Sequence, residues 1–393
     1  MIDSVDRNLC CGCEACVQIC PQSCISLKED NEGFLFPSVD KDRCIGCGAC
    51  RRVCQVLRQS SDVRRPIAGY AYRTCDEELL RRTSSGGFFS AIAKMVLCRN
   101  GVVFGASVGS GNDICHVCVE SYAELDALRR SKYVQSRIGS SFVRCRDFLQ
   151  KKRFVLFCGT PCQVRALKLF LGKEYDNLVT IDFACHGVPS PGVFQRYLSE
   201  LATNKGGDKN DIAEINFRSK ELGSAYSFSF SFSFKGEHFV ESPQQNPFLK
   251  GFLSDIYLRR SCYKCVAKGF SSGSDYTMCD FWTVNKFMPD FADAVMPGVS
   301  QVFVFRDRLG FFSQVGTASS LAKFDVNDRR LIQCWVYKSV PLTSRRSVFF
   351  KNLARGMSVE CAVELATHRN LLAKSIGRIR AFAGKVKKVL VNK

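Results

Sequence analysis

Cys10-Cys-Gly-Cys13-Glu-Ala-Cys16-Val-Gln-Ile-Cys20-Pro21 and Cys44-Ile-Gly-Cys47-Gly-Ala-Cys50-Arg-Arg-Val-Cys54-Gln55 carry one spacing twice, C-x2-C-x2-C-x3-C. It is the ligand pattern for two [4Fe–4S] clusters. Three thiolates on a tight loop surround one cubane, and the fourth, on the next helical turn, points to the other. The expected sets are Cys10, Cys13, Cys16 and Cys54 for one cluster, with Cys20, Cys44, Cys47 and Cys50 for the other. Gly12, Gly46 and Gly48 let the loops fold closely and aim N–H groups at the sulfurs. Paired zinc sites are the competing reading, because zinc also takes paired C-x2-C. A duplicated four-cysteine run fits zinc poorly. Gln55 departs from the usual proline, which weakens one turn without touching the ligand set. Cys11 and Cys24 fall outside the pattern and read as packing residues.

Outward from this ferredoxin-type module, residues 1–60, the stretch Gln59–Pro66 is polar and charged and reads as a linker. With 393 residues there is room for two or three domains and a sizeable core. The N-terminus has no apolar core segment, and no apolar run reaches membrane-spanning length. Twenty-three cysteines at cluster-like spacings then point to a reducing cytoplasm rather than a disulfide scaffold. The net charge of +19 suits an acidic partner, an anionic cofactor or a membrane surface. Part of it lies in a basic helical tail, residues 346–393. From Leu365 onward that tail has eight Lys/Arg and no acid, with Ile376, Ile379, Ala383, Val386 and Leu390 at helical spacing. Such a helix can dock on a membrane surface or an acidic protein, or pack on its own domain. No nucleic-acid recognition motif is present, and the basic residues are spread out, so nucleic acid is not an expected partner.

A second centre lies downstream. Phe154–Cys158 is a short apolar run and reads as a buried strand; Gln163–Leu171 follows as a helix with Gly172 as its stop. Leu178–Ala184 is the next strand, and Pro191 opens another helix through Leu201. Such crossovers make neighbouring parallel strands, so the loops carrying Cys162 and Cys185 leave one carboxyl edge of a sheet. With Cys262 and Cys265 they form a four-thiolate set, read as a third [4Fe–4S] site. The alternative is that Cys162 is an activated helix-terminal thiol and the Cys262 pair binds zinc. Cys158 and Cys279 are substitutes for any one ligand. Cys115 and Cys118 sit three apart on a strand, hence on opposite faces, and read as structural.

Ser84-Ser85-Gly86-Gly87 precedes the helical run Phe88–Leu97, with serine at the N-cap, and offers an anion site for flavin phosphates. Arg130 to Ser136, with Ser131, Lys132, Tyr133 and Gln135, adds basic and aromatic groups suited to a ring and its phosphates. No G-x-G-x-x-G follows a strand, so any flavin is held outside a Rossmann fingerprint. Ser227 to Phe234 alternates Ser and Phe, a strand with one aromatic face, and Lys235-Gly236-Glu237 turns it into a core-forming hairpin with Phe239 on the return. His186 suits either a proton shuttle or an ordinary hydrogen bond.

Ser84–Gly87, Ser131–Ser136, Gly159-Thr160-Pro161-Cys162-Gln163, Cys185-His186-Gly187-Val-Pro-Ser190 and Ser261–Cys265 occur in this order. Together they resemble the coenzyme F420 hydrogenase/dehydrogenase beta-subunit family, in the form with an N-terminal two-cluster ferredoxin module. The resemblance covers roughly residues 1 to 340. It implies an α+β or α/β chain: the small module, then a non-Rossmann flavin-binding α/β domain whose two parts span residues 67–150 and 151–345. It implies FAD or FMN near those loops and a nearby [4Fe–4S] cluster. The activity implied is an oxidoreductase exchanging hydride with a deazaflavin-like carrier and passing electrons singly to clusters or to a redox partner. Ser274–Thr283 differs from the family stretch in having Cys279 and Thr283 where glycine is usual, which narrows the pocket against a deazaflavin. The other function open to this sequence is a non-catalytic iron–sulfur electron-transfer subunit serving a separate catalytic partner.

Overall fold

Strand β1 (Ile25–Glu29) pairs antiparallel with β2 (Leu35–Val39), and the short helices Ala15–Gln18 and Ala49–Arg52 follow the two cysteine loops. The computed structural model describes residues 2–58, 63–222, 227–288, 298–314 and 319–367. Half of the expected linker, residues 59–62, and the basic residues after 367 therefore lie outside the described residues, including the Ile376–Leu390 pattern.

The remaining chain builds one large sheet. Its strands are β3 (Ala68–Thr74), β4 (Val102–Val108), β5 (Ile114–Val119), β6 (Val155–Cys158) and β7 (Leu178–Phe183). A small sheet comes next in the chain, made of β8 (Ile212–Ser219), β9 (Ser229–Phe234) and β10 (Glu237–Glu241). The large sheet then resumes with β11 (Tyr276–Asp280), β12 (Ser300–Val304) and β13 (Ser319–Phe324). Its order is β13-β3-β12-β11-β7-β6-β4-β5. The middle strands β11, β7, β6 and β4 are parallel, and both flanks are antiparallel. Strands from residues 67–150 and from 151–345 thus interleave in one sheet.

Why these residues form this sheet is visible in β4. Val103 faces the helix Phe88–Leu97 with Ile92, Val96 and Leu156. Val102 and Phe104 face the helices Ser141–Gln150 and Pro161–Leu171, with Phe142, Val155 and Val164. Both faces are covered, so the parallel strands read as continuous apolar runs rather than alternating ones. Truncating one of the large fully buried rings, such as Phe104, would cost about 3–5 kcal/mol.

The β6–β7 crossover matches the sequence pattern. Its helix starts at Pro161, where Thr160 and Gln163 form a capping box, and ends at Gly172 with φ 68°. The Ser–Phe run forms β9, joined to β10 by Lys235-Gly236, both with positive φ, as a two-residue hairpin demands. Phe230 and Phe232 enter the core as expected, while Ser229 and Ser231 on the opposite face are also buried.

The first part of the expected helical tail, residues 346–367, packs on its own domain. Arg346, Phe349, Val359 and Val363 are buried, and the helix Ser344–Ala354 and the helical stretch 359–367 pack on the same core as β9. Among the described residues no helix is long and apolar enough to cross a membrane.

Candidate redox site

The two cysteine loops fold so that each fourth cysteine crosses over. A cavity of about 250 Å³ is lined by Cys10, Cys13, Cys16 and Cys54, and one of about 80 Å³ by Cys20, Cys44, Cys47 and Cys50. Burial pushes the Cys16 thiol up, and the neighbouring Cys13, Cys10 and Cys54 push it further. Thiolates crowded like this need a cationic core among them, which is what iron supplies.

The first set is sealed against the large domain. Gln55, 1 % exposed, donates from Nε2 to the Cys11 sulfur at 3.1 Å and to the Cys162 carbonyl at 2.8 Å. The departure from proline is therefore a contact and not merely a weakened turn. Cys11 is hydrogen-bonded to both Cys13 and Cys162, and those partners push its thiol well up. It is a junction between two thiol groups, more than a packing residue. Glu14 takes the left-handed conformation and accepts from Arg137 Nε and from the Ile138 and Gly139 amides.

Parallel pairing of β6 and β7 places Cys162, on the first turn after β6, beside Cys185, just past β7. Cys262 lies in the 3-10 turn Arg260–Lys264, and Cys265 follows it. The ideal Cβ of Gly187 would fall 3.3 Å from the Cys262 Cβ, so the two loops are in contact. Burial, followed by the nearness of Cys265, pushes Cys262 up to about 12, and burial with the other three thiols pushes Cys185 well up. Cys162 is drawn down to about 7, foremost by its bond with Cys11. The donor chemistry fits a cluster held by these four thiols. Among the described residues no three His, Cys, Asp or Glu side chains converge as for a single metal ion. The charges acting on Cys158 are Asp182 and Lys132, and those on Cys279 are Asp280 and Asp182; neither joins the four-thiol set.

A cavity of about 380 Å³ adjoins Cys185. The first loop contributes Ser84, Ser85 and Gly87, and the second Ser131, Lys132, Tyr133 and Ser136. The sheet-edge loops contribute Gly159, Thr160, Gln163, His186 and Gly187. Three expected residues are elsewhere. Gly86 packs on the sheet, where a Cβ would meet the Tyr72 carbonyl oxygen at 2.2 Å. Gln135 turns toward the first cluster loop and donates to the Cys11 carbonyl at 3.0 Å. Pro161 occupies the first turn of its helix. The helix Phe88–Leu97 is capped by Gly87 at φ 90°, not by serine. Ser84 Oγ instead accepts the Ser131 amide at 2.8 Å, which ties the two loops together.

Sequence reasoning missed His116. Its Nε2 lies 3.1 Å from the Cys158 carbonyl and its Nδ1 3.0 Å from Ser136 Oγ, and the ring stacks on Phe157. The carbonyl fixes the tautomer with the proton on Nε2. Burial pushes this histidine down to about 4. Its position in a strand between two cysteines read as structural carried no signal. His186 bonds Asp255 at 2.5 Å and meets Trp335 edge-on. Burial and the nearby Arg130 pull the Lys132 ammonium down. A second cavity of about 980 Å³ shares Arg129, Arg130, Ser131 and Lys132 with the first and adds Arg81, Arg82 and Lys220. Phe228 and Trp335 put aromatic faces in the first cavity, next to the cations of the second.

Cysteine sets for clusters, joined by Gln55 and Cys11 and opening onto a cationic cavity, define an iron–sulfur electron-transfer protein. Residues 9–57 match the model of the 4Fe-4S dicluster domain, and residues 152–308 match the model for the C terminus of the coenzyme F420 hydrogenase/dehydrogenase beta subunit. The chain thus carries a region similar to the C terminus of that beta subunit together with an N-terminal dicluster domain. A chain in the structure of the F420-reducing [NiFe] hydrogenase complex from Methanosarcina barkeri is 14% identical over 67% of this chain and 84% of that one, with a TM-score of 0.44. A likeness at that score bears no argument here. A search of the curated proteins found no match.

Proposed function

We propose that this protein is an iron–sulfur flavoprotein oxidoreductase of the cytoplasm, which takes electrons in pairs from a hydride carrier and passes them singly to a redox partner, or runs in reverse. The observation that carries this reading is the contiguity of Cys185, in the cavity wall, with Cys162, Cys11 and Cys13. When bound, a flavin supplies two-electron chemistry that can be released one electron at a time, and the clusters supply one-electron carriage. Cys10, Cys13, Cys16 and Cys54 would hold one cluster, and Cys20, Cys44, Cys47 and Cys50 a second. Cys162, Cys185, Cys262 and Cys265 would hold a third.

The chain's own residues do the rest. Ser84 and Ser131 hold their loops together at the cavity mouth. Arg130 and Lys132 line the join between the two cavities and suit the phosphates of FAD or FMN. His116, kept neutral, donates its Nε2 proton to the Cys158 carbonyl and so fixes the strand end in the cavity wall. His186 lines the cavity and is oriented through Nε2 by Asp255. Cys279 and Trp282 narrow the substrate side, which favours a carrier slimmer than a deazaflavin.

Iron, acid-labile sulfide, zinc and flavin counted per chain, on protein purified without oxygen, test the proposal. About twelve irons with one flavin are expected. About eight irons, no zinc and no flavin would overturn it and leave a non-catalytic electron carrier docked on a separate partner.

A further inference from the structure

Arg259 is among the largest fully buried side chains, 1 % exposed, yet every acceptor it meets is neutral. Its Nε donates to the Cys10 carbonyl at 2.7 Å, Nη1 to Gln135 Oε1 at 3.0 Å, and Nη2 to the Leu35 carbonyl at 2.9 Å. The guanidinium lies over the Phe36 ring at 4.4 Å. Among the described residues no carboxylate reaches it, whereas the adjacent Arg260 pairs with Glu32 at the surface. A buried guanidinium without a counter-charge is expensive, and such groups are found paired.

The missing negative charge has an address. Nη2 is 3.8 Å from the sulfur of Cys10, in the first cluster set. The Arg259 carbonyl accepts the amide of Cys262, in the third set, at 2.9 Å. Gly12 records the same closeness, because a Cβ there would fall 2.7 Å from Arg259 Nη1. A cubane core with four thiolates is a net anion, and two such anions would flank this side chain.

We infer that Arg259 is the shared counter-charge of the first dicluster site and the third cluster site, raising both reduction potentials together and keeping them matched for electron transfer. The inference rests on the three-cluster reading above. The distal set of Cys20, Cys44, Cys47 and Cys50 makes no contact with Arg259 and serves as an internal reference.

The test is a potentiometric titration of the full chain, followed by EPR of the reduced clusters, with the distal signal assigned through Cys47→Ser. In Arg259→Gln the reduction constants of two clusters should fall about tenfold, a downward shift of about 59 mV for one electron. The distal cluster should not move, and Arg259→Lys should stay near wild type. Gln135→Glu, which leaves the arginine in place and sets a carboxylate against it, should lower the same two potentials, and it decides the matter if Arg259→Gln loses iron. Unmoved potentials in a wild-type-like, about twelve-iron protein overturn the inference alone. So does a shift of only one cluster, or an equal shift of all three. Fewer than about twelve irons in the wild type would overturn the three-cluster reading itself.

Discussion

The two cysteine loops share one spacing but not one environment. At matching positions the first loop has Cys11, Glu14 and, after the other run, Gln55, where the second has Ile45, Gly48 and Pro21. All three residues on the first side reach the large domain: Cys11 to Cys162, Glu14 to Arg137 and its neighbouring amides, Gln55 to the Cys162 carbonyl. On the second side Ile45 is 63% exposed and Cys47 is also exposed. A repeat fixes what is bound, and the residues between its ligands decide whether a cluster faces inward to a partner site or outward to solvent.

The largest expected effect breaks the inward side. Cys185→Ala should remove about four of about twelve irons and uncouple the flavin from the dicluster module, read by iron analysis and by EPR after reduction through the flavin. Unchanged iron would show that the inward cluster faces no further cluster.

Equivalent glycines sharpen the contrast next. Gly12→Ala combines φ +66° with a Cβ 2.7 Å from Arg259 and Gln135, and should lower stability by about 3 kcal/mol or more in anaerobic urea melts. Gly46→Ala, at φ +68° with nothing within 4 Å, should cost about 1 kcal/mol. Equal losses would mean that the inward loop is not clamped.

Acid probes the domain that does the clamping. Burial keeps folded His116 neutral down to about 4, against an ordinary 6.5. The unfolded chain therefore binds the extra proton in that window. Stability is full above about pH 6.5 and drains away by about 3 kcal/mol as pH falls to about 4. His116→Gln should flatten that slope relative to wild type; parallel profiles would remove the buried histidine from the account.

Smaller still is Glu14→Gly, which copies the outward loop. It loses charge-assisted bonds but relieves a left-handed non-glycine residue, for a net loss of about 1 kcal/mol. Ile45→Ser, on the open side, should stay within about 0.5 kcal/mol, and a larger loss would mean that the outward face is covered in solution.

Much of this was legible in the sequence for a simple reason: its information is local. The grouping of the cysteines around two cavities follows from spacing, and the β6–β7 crossover follows from apolar runs bounded by Gly159 and Gly172. What escaped are residues whose partners lie far away in the chain. Gln55 bonds a residue 107 positions on, and Arg259 bonds one 249 positions back. Gln135 sits inside a motif suited to a ring yet turns toward the cluster loop, because Arg259 supplies a donor there. Gly86 looked like part of an anion cradle but is glycine because strand β3 passes beneath it. The buried helices of 344–367 were hidden by a basic composition that belongs to the residues after them.

Strand β3 follows directly after the cluster module, but its sheet neighbours β12 and β13 are the last strands among the described residues. Tyr72 pairs with Ser300, so 228 residues (300 minus 72) must still be synthesised before that ladder can form. At roughly 5–20 residues per second, the module leaves the ribosome on the order of 10–50 seconds ahead of the sheet that will enclose it. Cys11 and Gln55 are likewise made before Cys162, the residue that seals them against the large domain.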